Sequence, residues 1–151
     1  MEKSFILGAL NESDIYWLQT NGKTEQIPAG NVLIAEGSPV NTFYIILLGL
    51  LSVSLDSQEG REIARLGSGQ VLGEMSFVDD RPSAATVRAI EHSLVLTISQ
   101  RHLALKLEQD DGFAARFYRA IAMFLSSRLR STVVQFGYSE ESLTTLQKSN
   151  G

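Results

Sequence analysis

The sequence predicts a mainly β protein, an antiparallel β-roll or jelly-roll barrel with helices flanking it at both ends of the chain. Three observations lead to this fold class: short apolar segments with a two-residue period, frequent glycines between them, and an apolar helical segment after them. Leu51, Val53 and Leu55 alternate with polar residues, as in a strand with one buried face. Many short strands at close spacing favour an antiparallel barrel over a parallel sheet with crossover helices.

The composition fits one compact domain. The chain has 151 residues, of which 44% are hydrophobic and 20% charged, so it can build a core of its own. It contains no cysteine, which excludes disulfides and suits a reducing compartment. A net charge of −4 argues against a nucleic-acid partner, and the longest apolar run, residues 43–51, is too short to span a membrane. With no signal peptide evident, we expect a cytoplasmic protein.

The chain divides into four predicted parts. Residues 1–22 form a helical lead-in, which Asn11 or Ser13 caps and Gly22 ends. Residues 23–99 form the roll, residues 100–136 the C-terminal helices, and residues 137–151 a polar tail. The strands predicted within the roll are 32–34, 42–48, 51–55, 62–66, 85–90 and 94–98.

The C-terminal part contains two predicted helices. Ser99 is expected to cap the first of them. The second runs over 113–135 without an internal Gly or Pro, and Gly137 is expected to end it. We therefore expect this second helix to be the longest in the chain.

Two neighbouring faces of the 113–135 helix are apolar. The first face carries Phe113, Phe117 and Phe124, followed by Arg128. The second face carries Tyr118, Leu125, Leu129 and Val133. Because one barrel cannot cover both faces, we predict a homodimer through this helix, with Phe124 in the interface, or docking of the helix onto a partner segment.

The segment most informative about function is residues 73–87, GEMSFVDDRPSAATV. Gly73 ends a strand, and the residues after it can form one helical turn whose free amide groups would hold an anion. The carboxylate of Glu74 can accept a hydrogen bond from a sugar hydroxyl beside that anion. The alternative interpretation of the same residues is a glycine-rich barrel corner with a surface glutamate.

Together with two other segments, this stretch resembles the phosphate-binding cassette of the cyclic nucleotide-binding domain family, known from kinase regulatory subunits and the bacterial catabolite activator protein. Residues 27–37, IPAGNVLIAEG, are similar to the family's early strand pair, and residues 43–49, FYIILLG, to the strand and turn that follow. The resemblance covers roughly residues 6–135. It implies an eight-stranded roll with a final lid or dimerisation helix. It also implies a non-catalytic regulatory module that senses cyclic AMP, cyclic GMP or a similar small anion.

The resemblance also implies where the ligand binds. The implied ligand-binding residues are Val71, Leu72, Gly73, Glu74, Met75, Ser76, Ser83, Ala84 and Ala85. In members of the family that bind cyclic nucleotides, an arginine usually follows the cassette proline and pairs with the cyclic phosphate, whereas Ser83 stands here. Replacing a charged fork by one neutral donor should weaken binding by roughly 1–2 kcal/mol, or about 5- to 30-fold. The alternative is an interaction module that keeps the fold, has lost its ligand and acts through dimerisation.

Other candidate sites are weaker. His92 and His102 lie in separate elements, so we expect no metal site and no cofactor apart from the ligand itself. No residue pattern pairs a nucleophile with a base, so we expect no enzyme activity. The arginines of the last helix are expected to be exposed flanks of its apolar faces, the alternative being contact with a phosphate or nucleic acid: Arg116, Arg119, Arg128 and Arg130.

Overall fold

The computed structural model describes the backbone of residues 8–150, and their side chains except those of residues 75, 76 and 138–150. Predictions for residues 1–7 and 151 lie outside the described residues. The strands are β1 (Lys23–Ile27), β2 (Val32–Ile34), β3 (Thr42–Leu48), β4 (Leu50–Leu55), β5 (Arg61–Gly67), β6 (Val71–Leu72), β7 (Thr86–Ala89) and β8 (Ser93–Ser99). The helices are α1 (Glu12–Asn21), α2 (Glu74–Asp79), α3 (Gln100–Gln109) and α4 (Asp111–Asn150).

The predicted fold class is confirmed. The strands form two antiparallel four-stranded sheets, ordered β1-β8-β3-β6 and β2-β7-β4-β5, which contribute to one hydrophobic core. All six predicted strands are present, with ends within one residue of those expected. Sequence reasoning missed β1, and it expected β6 only as a strand of unstated length that Gly73 ends. The first of these is polar and mostly exposed, and it is a strand because its backbone pairs with β8 along its whole length.

Side-chain caps set the starts of α1 and α3, as expected. The side-chain oxygen of Asn11 accepts a hydrogen bond from the Asp14 N–H at 2.9 Å, and the Asp14 carboxylate accepts one from the Asn11 N–H at 3.1 Å. This reciprocal pair is a capping box, which satisfies two amide groups that the helix leaves free. Ser99 caps α3 by accepting a hydrogen bond from the His102 N–H at 3.0 Å.

The prediction that the last helix ends at Gly137 is wrong. α4 continues to Asn150, so residues 137–150 extend the helix instead of forming a separate tail. A glycine inside a helix costs only about 1 kcal/mol relative to alanine, and good helix formers such as Glu140, Glu141 and Leu143 follow it. Glycine ends a helix when its backbone turns left-handed, and Gly137 keeps the helical conformation.

The first apolar face of α4 is buried against the roll. Phe113, Phe117 and Phe124 are at most 1% exposed, so the expectation that Phe124 lies in a dimer interface is wrong. The ring centroid of Phe117 lies 5.4 Å from that of Phe43 in β3, 6.0 Å from that of Phe77 in α2 and 5.6 Å from that of Phe113. The Phe43 ring is tilted and the Phe77 ring edge-on relative to Phe117, whereas the Phe113 ring is stacked on it. We call these four rings the aromatic cluster; it joins the roll, α2 and α4.

An ion pair joins α1 to α4. The guanidinium of Arg116 donates to the two carboxylate oxygens of Asp14, from Nε at 2.6 Å and from Nη2 at 2.9 Å. Asp14 is only 3% exposed, and its hydrogen bond to Arg116 holds the pKa of that carboxyl below its usual value despite burial. Arg116 is therefore not the solvated flank expected from the sequence.

The backbone requires glycine at position 73, where β6 ends and α2 begins. Gly73 has φ +83°, and a Cβ atom there would lie 2.5 Å from the carbonyl oxygen of Thr42. Its own carbonyl accepts hydrogen bonds at 3.1 Å from the Phe77 N–H and from Nε2 of Gln100. This geometry explains the glycine without any ligand.

We predict that Gly73→Ala lowers the free energy of unfolding by more than the roughly 1–2 kcal/mol that a left-handed backbone costs an L-residue. The excess reflects the contact with Thr42. Gly60→Ala is the matched control, because Gly60 has φ +74° but open space where its Cβ would lie. Denaturant unfolding of both variants measures the difference, and equal losses would show that the contact contributes nothing.

Candidate functional site

A cavity of about 330 Å³ lies where the cassette segment, the strands and α4 meet. Its apolar wall includes Leu66, Leu72 and Val87 from the roll, and Phe124 and Leu125 from α4. The charged side chains that line it are Glu74, Asp79, Arg81 and Arg128. A mostly apolar cavity of this size with a few charged groups is typical of a small-molecule site.

The cavity gathers most of the residues implied by the resemblance. Six of the nine line it: Leu72, Gly73, Glu74, Ser83, Ala84 and Ala85. Val71 instead lies in the core with no exposed surface, paired with Ile45 of β3. The side chains of Met75 and Ser76 lie outside the described residues. Ligand binding by all nine stays a prediction.

Ser83 is fixed in place by its neighbours. Its N–H donates to the Ser38 carbonyl at 3.0 Å, and its carbonyl accepts from the Gly37 N–H at 2.8 Å. Its hydroxyl donates to the Ala85 carbonyl at 2.6 Å and accepts from the Ala85 N–H at 3.3 Å. The hydroxyl proton is thus engaged in a local turn, so Ser83 offers the cavity less than the free neutral donor expected from the sequence.

The carboxyl of Glu74 has a strongly raised pKa. The Glu74 side chain is partly buried, and loss of solvation raises the pKa of its carboxyl from 4.5 to about 7. The positive charge of Arg128 acts in the opposite direction and lowers this pKa. Near neutral pH the carboxyl is therefore divided between a form that accepts hydrogen bonds and a form that can also donate one.

Arg128 differs from the expectation of an exposed flank. It is partly buried and lines the cavity, whereas Arg119 and Arg130 are exposed as expected. The sequence indicates this position, because Arg128 follows Phe124 by four residues on the helix face that packs against the roll. Sequence reasoning did not place Arg128 at the cavity, because periodicity assigns a residue to a face without showing what that face covers.

The described residues contain no group of three or more histidines and carboxylates placed to hold a metal ion. The ring of His102 packs edge-on against Trp17, with centroids 5.4 Å apart.

Among the helices of residues 8–150, none is long and apolar enough to cross a membrane.

Comparison with known proteins identifies the family. A family model described as "Cyclic nucleotide-binding domain" matches residues 24–110, which include the whole cassette segment and end at the start of α4. The chain belongs to the cyclic nucleotide-binding domain family. The resemblance found in the sequence is thereby confirmed.

Individual relatives agree with this assignment. A cAMP-dependent protein kinase regulatory subunit from Emericella nidulans is 35% identical over 66 residues, which are 44% of this chain and 16% of that subunit. The crystal structure of a cyclic nucleotide-binding domain from Methylobacillus flagellatus has a TM-score of 0.79 and 22% identity, covering 87% of this chain and 80% of that one.

A third relative was crystallised with a ligand. The regulatory domain of Toxoplasma gondii PKA, in a co-crystal structure with cAMP, has a TM-score of 0.59 and 28% identity. The match covers 65% of this chain and 38% of that one. The matched regions of the curated relatives make up 15% to 35% of those proteins.

We predict that Glu74→Gln stabilises the ligand-free protein at pH 8 by about 1–3 kcal/mol and leaves its stability nearly unchanged at pH 4. The folded chain holds the Glu74 proton more tightly than the unfolded chain between pH 4.5 and about 7. The free energy of unfolding of the wild type therefore falls as pH rises through that window.

Denaturant unfolding at the two pH values measures the effect. Glu108→Gln, on the exposed surface of α3, controls for the loss of one carboxylate. The other charged groups of the cavity, Asp79, Arg81 and Arg128, are the same in both proteins. A stabilisation that did not depend on pH would contradict the raised pKa of Glu74.

Proposed function

We propose that this chain is a non-catalytic regulatory module that senses a cyclic nucleotide or a similar small anion in the cytoplasm. The observation that carries the proposal is the cavity between the cassette segment, the roll and α4, in a chain of the cyclic nucleotide-binding domain family. The ligand class is supported by a relative named as cAMP-dependent and by another crystallised with cAMP. We expect weak binding, because Ser83 occupies the position of the usual cassette arginine.

The ligand would act on α4. Phe124 and Leu125 of that helix line the cavity, so a ligand filling it contacts the helix directly. Phe77 of α2 packs against Phe117 of α4, which gives a second connection from the cassette to the same helix. Binding would then shift the population between two ways of packing α4 on the roll.

We predict that Ser83→Arg raises the affinity for cyclic AMP or cyclic GMP by about 5- to 30-fold, because it restores a charged fork facing the cyclic phosphate. The added charge should also make binding more sensitive to salt. Calorimetric titration of both nucleotides at two salt concentrations measures the gain.

Two controls interpret the result. Ser83→Gln adds length and polarity without charge, so it should not reproduce the gain. Ser83→Ala measures the loss of the hydroxyl's bonds to the Ala85 backbone. No measurable affinity in either the wild type or Ser83→Arg would overturn the sensor function and favour the ligand-free module.

The exposed part of the second face of α4, beyond Leu125, favours a second candidate function, a homodimeric interaction module. Leu129 and Val133 on this face are 65% and 61% exposed. Val134 and Phe136, further along the same helix, are 69% and 66% exposed. A cluster of apolar side chains this exposed is typical of an interaction surface.

We predict that Leu129→Glu dissociates this homodimer while leaving the fold intact, because the substitution places a charge in an apolar contact without touching the core. Leu105→Glu is the matched control: Leu105 is 48% exposed but belongs to α3. Sedimentation at high micromolar concentration distinguishes the states. A monomeric wild type, or a Leu129→Glu variant that stays dimeric, would argue against a dimer through this face.

A further inference from the structure

We propose that Arg128 of α4 supplies the cation that binds the ligand's anionic group, in place of the arginine that the cassette lacks. The inference rests on the proposed function, because it concerns the same cavity. It assigns the anion contact to the helix instead of to the roll.

Arg128 is placed to contact a ligand in the cavity. Arg128 and Ser83 line the same cavity, although they are 45 residues apart in the chain. Arg128 is close enough to Glu74 for its charge to lower the pKa of that carboxyl. A guanidinium presents a planar fork of donors that matches a phosphate or carboxylate group, so Arg128 can provide the kind of contact that Ser83 cannot.

The two cations of the cavity, Arg81 and Arg128, differ in their exposure to solvent. Arg81 also lines the cavity, but it is exposed to solvent, so Arg128 is the better shielded of the two cations. Among the side chains that the structure describes, no acid lies within salt-bridge distance of the Arg128 guanidinium. A partly buried cation interacts more strongly with an anion than an exposed one does, because less water screens it.

The position of the anion contact also decides whether ligand binding holds α4 against the roll. A contact from the cassette would hold the ligand's charge on the roll. A contact from Arg128 would instead join that charge to α4, and so hold the helix against the roll when the ligand is bound. Affinity and the response of the helix would then depend on the same pair of charges.

Calorimetric titration of cyclic AMP and cyclic GMP tests the assignment. Arg128→Gln should lower the affinity for the nucleotide that binds by about 10-fold or more. Arg101→Gln is the matched control, because Arg101 is exposed on α3 and lies outside the cavity lining. The affinity of the Arg101→Gln variant for the nucleotide should equal that of the wild type.

The double variant Ser83→Arg with Arg128→Gln distinguishes the loss of a positive charge in the cavity from damage to the fold of α4. It should recover most of the lost affinity, since it returns a guanidinium to the cavity from the cassette side. Damage to the fold of α4 would not be repaired in this way. Failure of the double variant to recover affinity would therefore overturn the assignment of Arg128 as the anion contact.

Two other outcomes count against the proposals in different ways. If the wild type binds either nucleotide and Arg128→Gln binds it equally well, the assignment of Arg128 is wrong and the sensor function stands. If the wild type binds neither nucleotide, the sensor function fails and the assignment fails with it.

Discussion

The packing of Phe117 is the interaction on which the rest of the structure depends. One ring from α4 contacts Phe43 of the roll, Phe77 of the cassette helix and Phe113 of its own helix. This contact helps to bury the first apolar face of α4 against the roll, and the same helix provides Phe124 and Leu125 to the cavity wall. Hydrophobic burial is non-directional, but a cluster of interlocking rings also fixes the angle at which a helix lies.

Charged side chains also connect α4 to the rest of the protein. The bidentate pair between Asp14 and Arg116 joins the N-terminal helix to α4, so any movement of α4 on the roll also involves α1. Further along the same helix, Arg128 acts electrostatically on Glu74 of the cassette. α4 therefore carries two cations, Arg116 beside the aromatic cluster and Arg128 at the cavity. One is already paired within the protein, and the proposed ligand would pair with the other.

In the cassette, Gly73 is required by the conformation of the backbone, whether or not a ligand binds there. Gly73 has a left-handed φ and lies too close to the Thr42 carbonyl for any side chain. The same turn places Glu74 where burial raises the pKa of its carboxyl to about 7. Ser83 is likewise occupied by the fold, with its hydroxyl bonded to Ala85 and its backbone to the loop at Gly37 and Ser38. A cassette held this firmly can keep its shape whether or not a ligand is bound.

The sequence by itself determined the antiparallel roll, the caps at Asn11 and Ser99, and the two apolar faces of the last helix, because these depend on local periodicity and local hydrogen bonds. Through the resemblance it also named six residues that line one cavity, five of them in the cassette segment. Only the tertiary structure decided that Gly137 stays helical, that Phe124 faces inward and that Arg128 reaches the cavity. A helical period shows which residues share a face, but what covers that face, and which charges meet across it, depends on contacts between segments far apart in the chain.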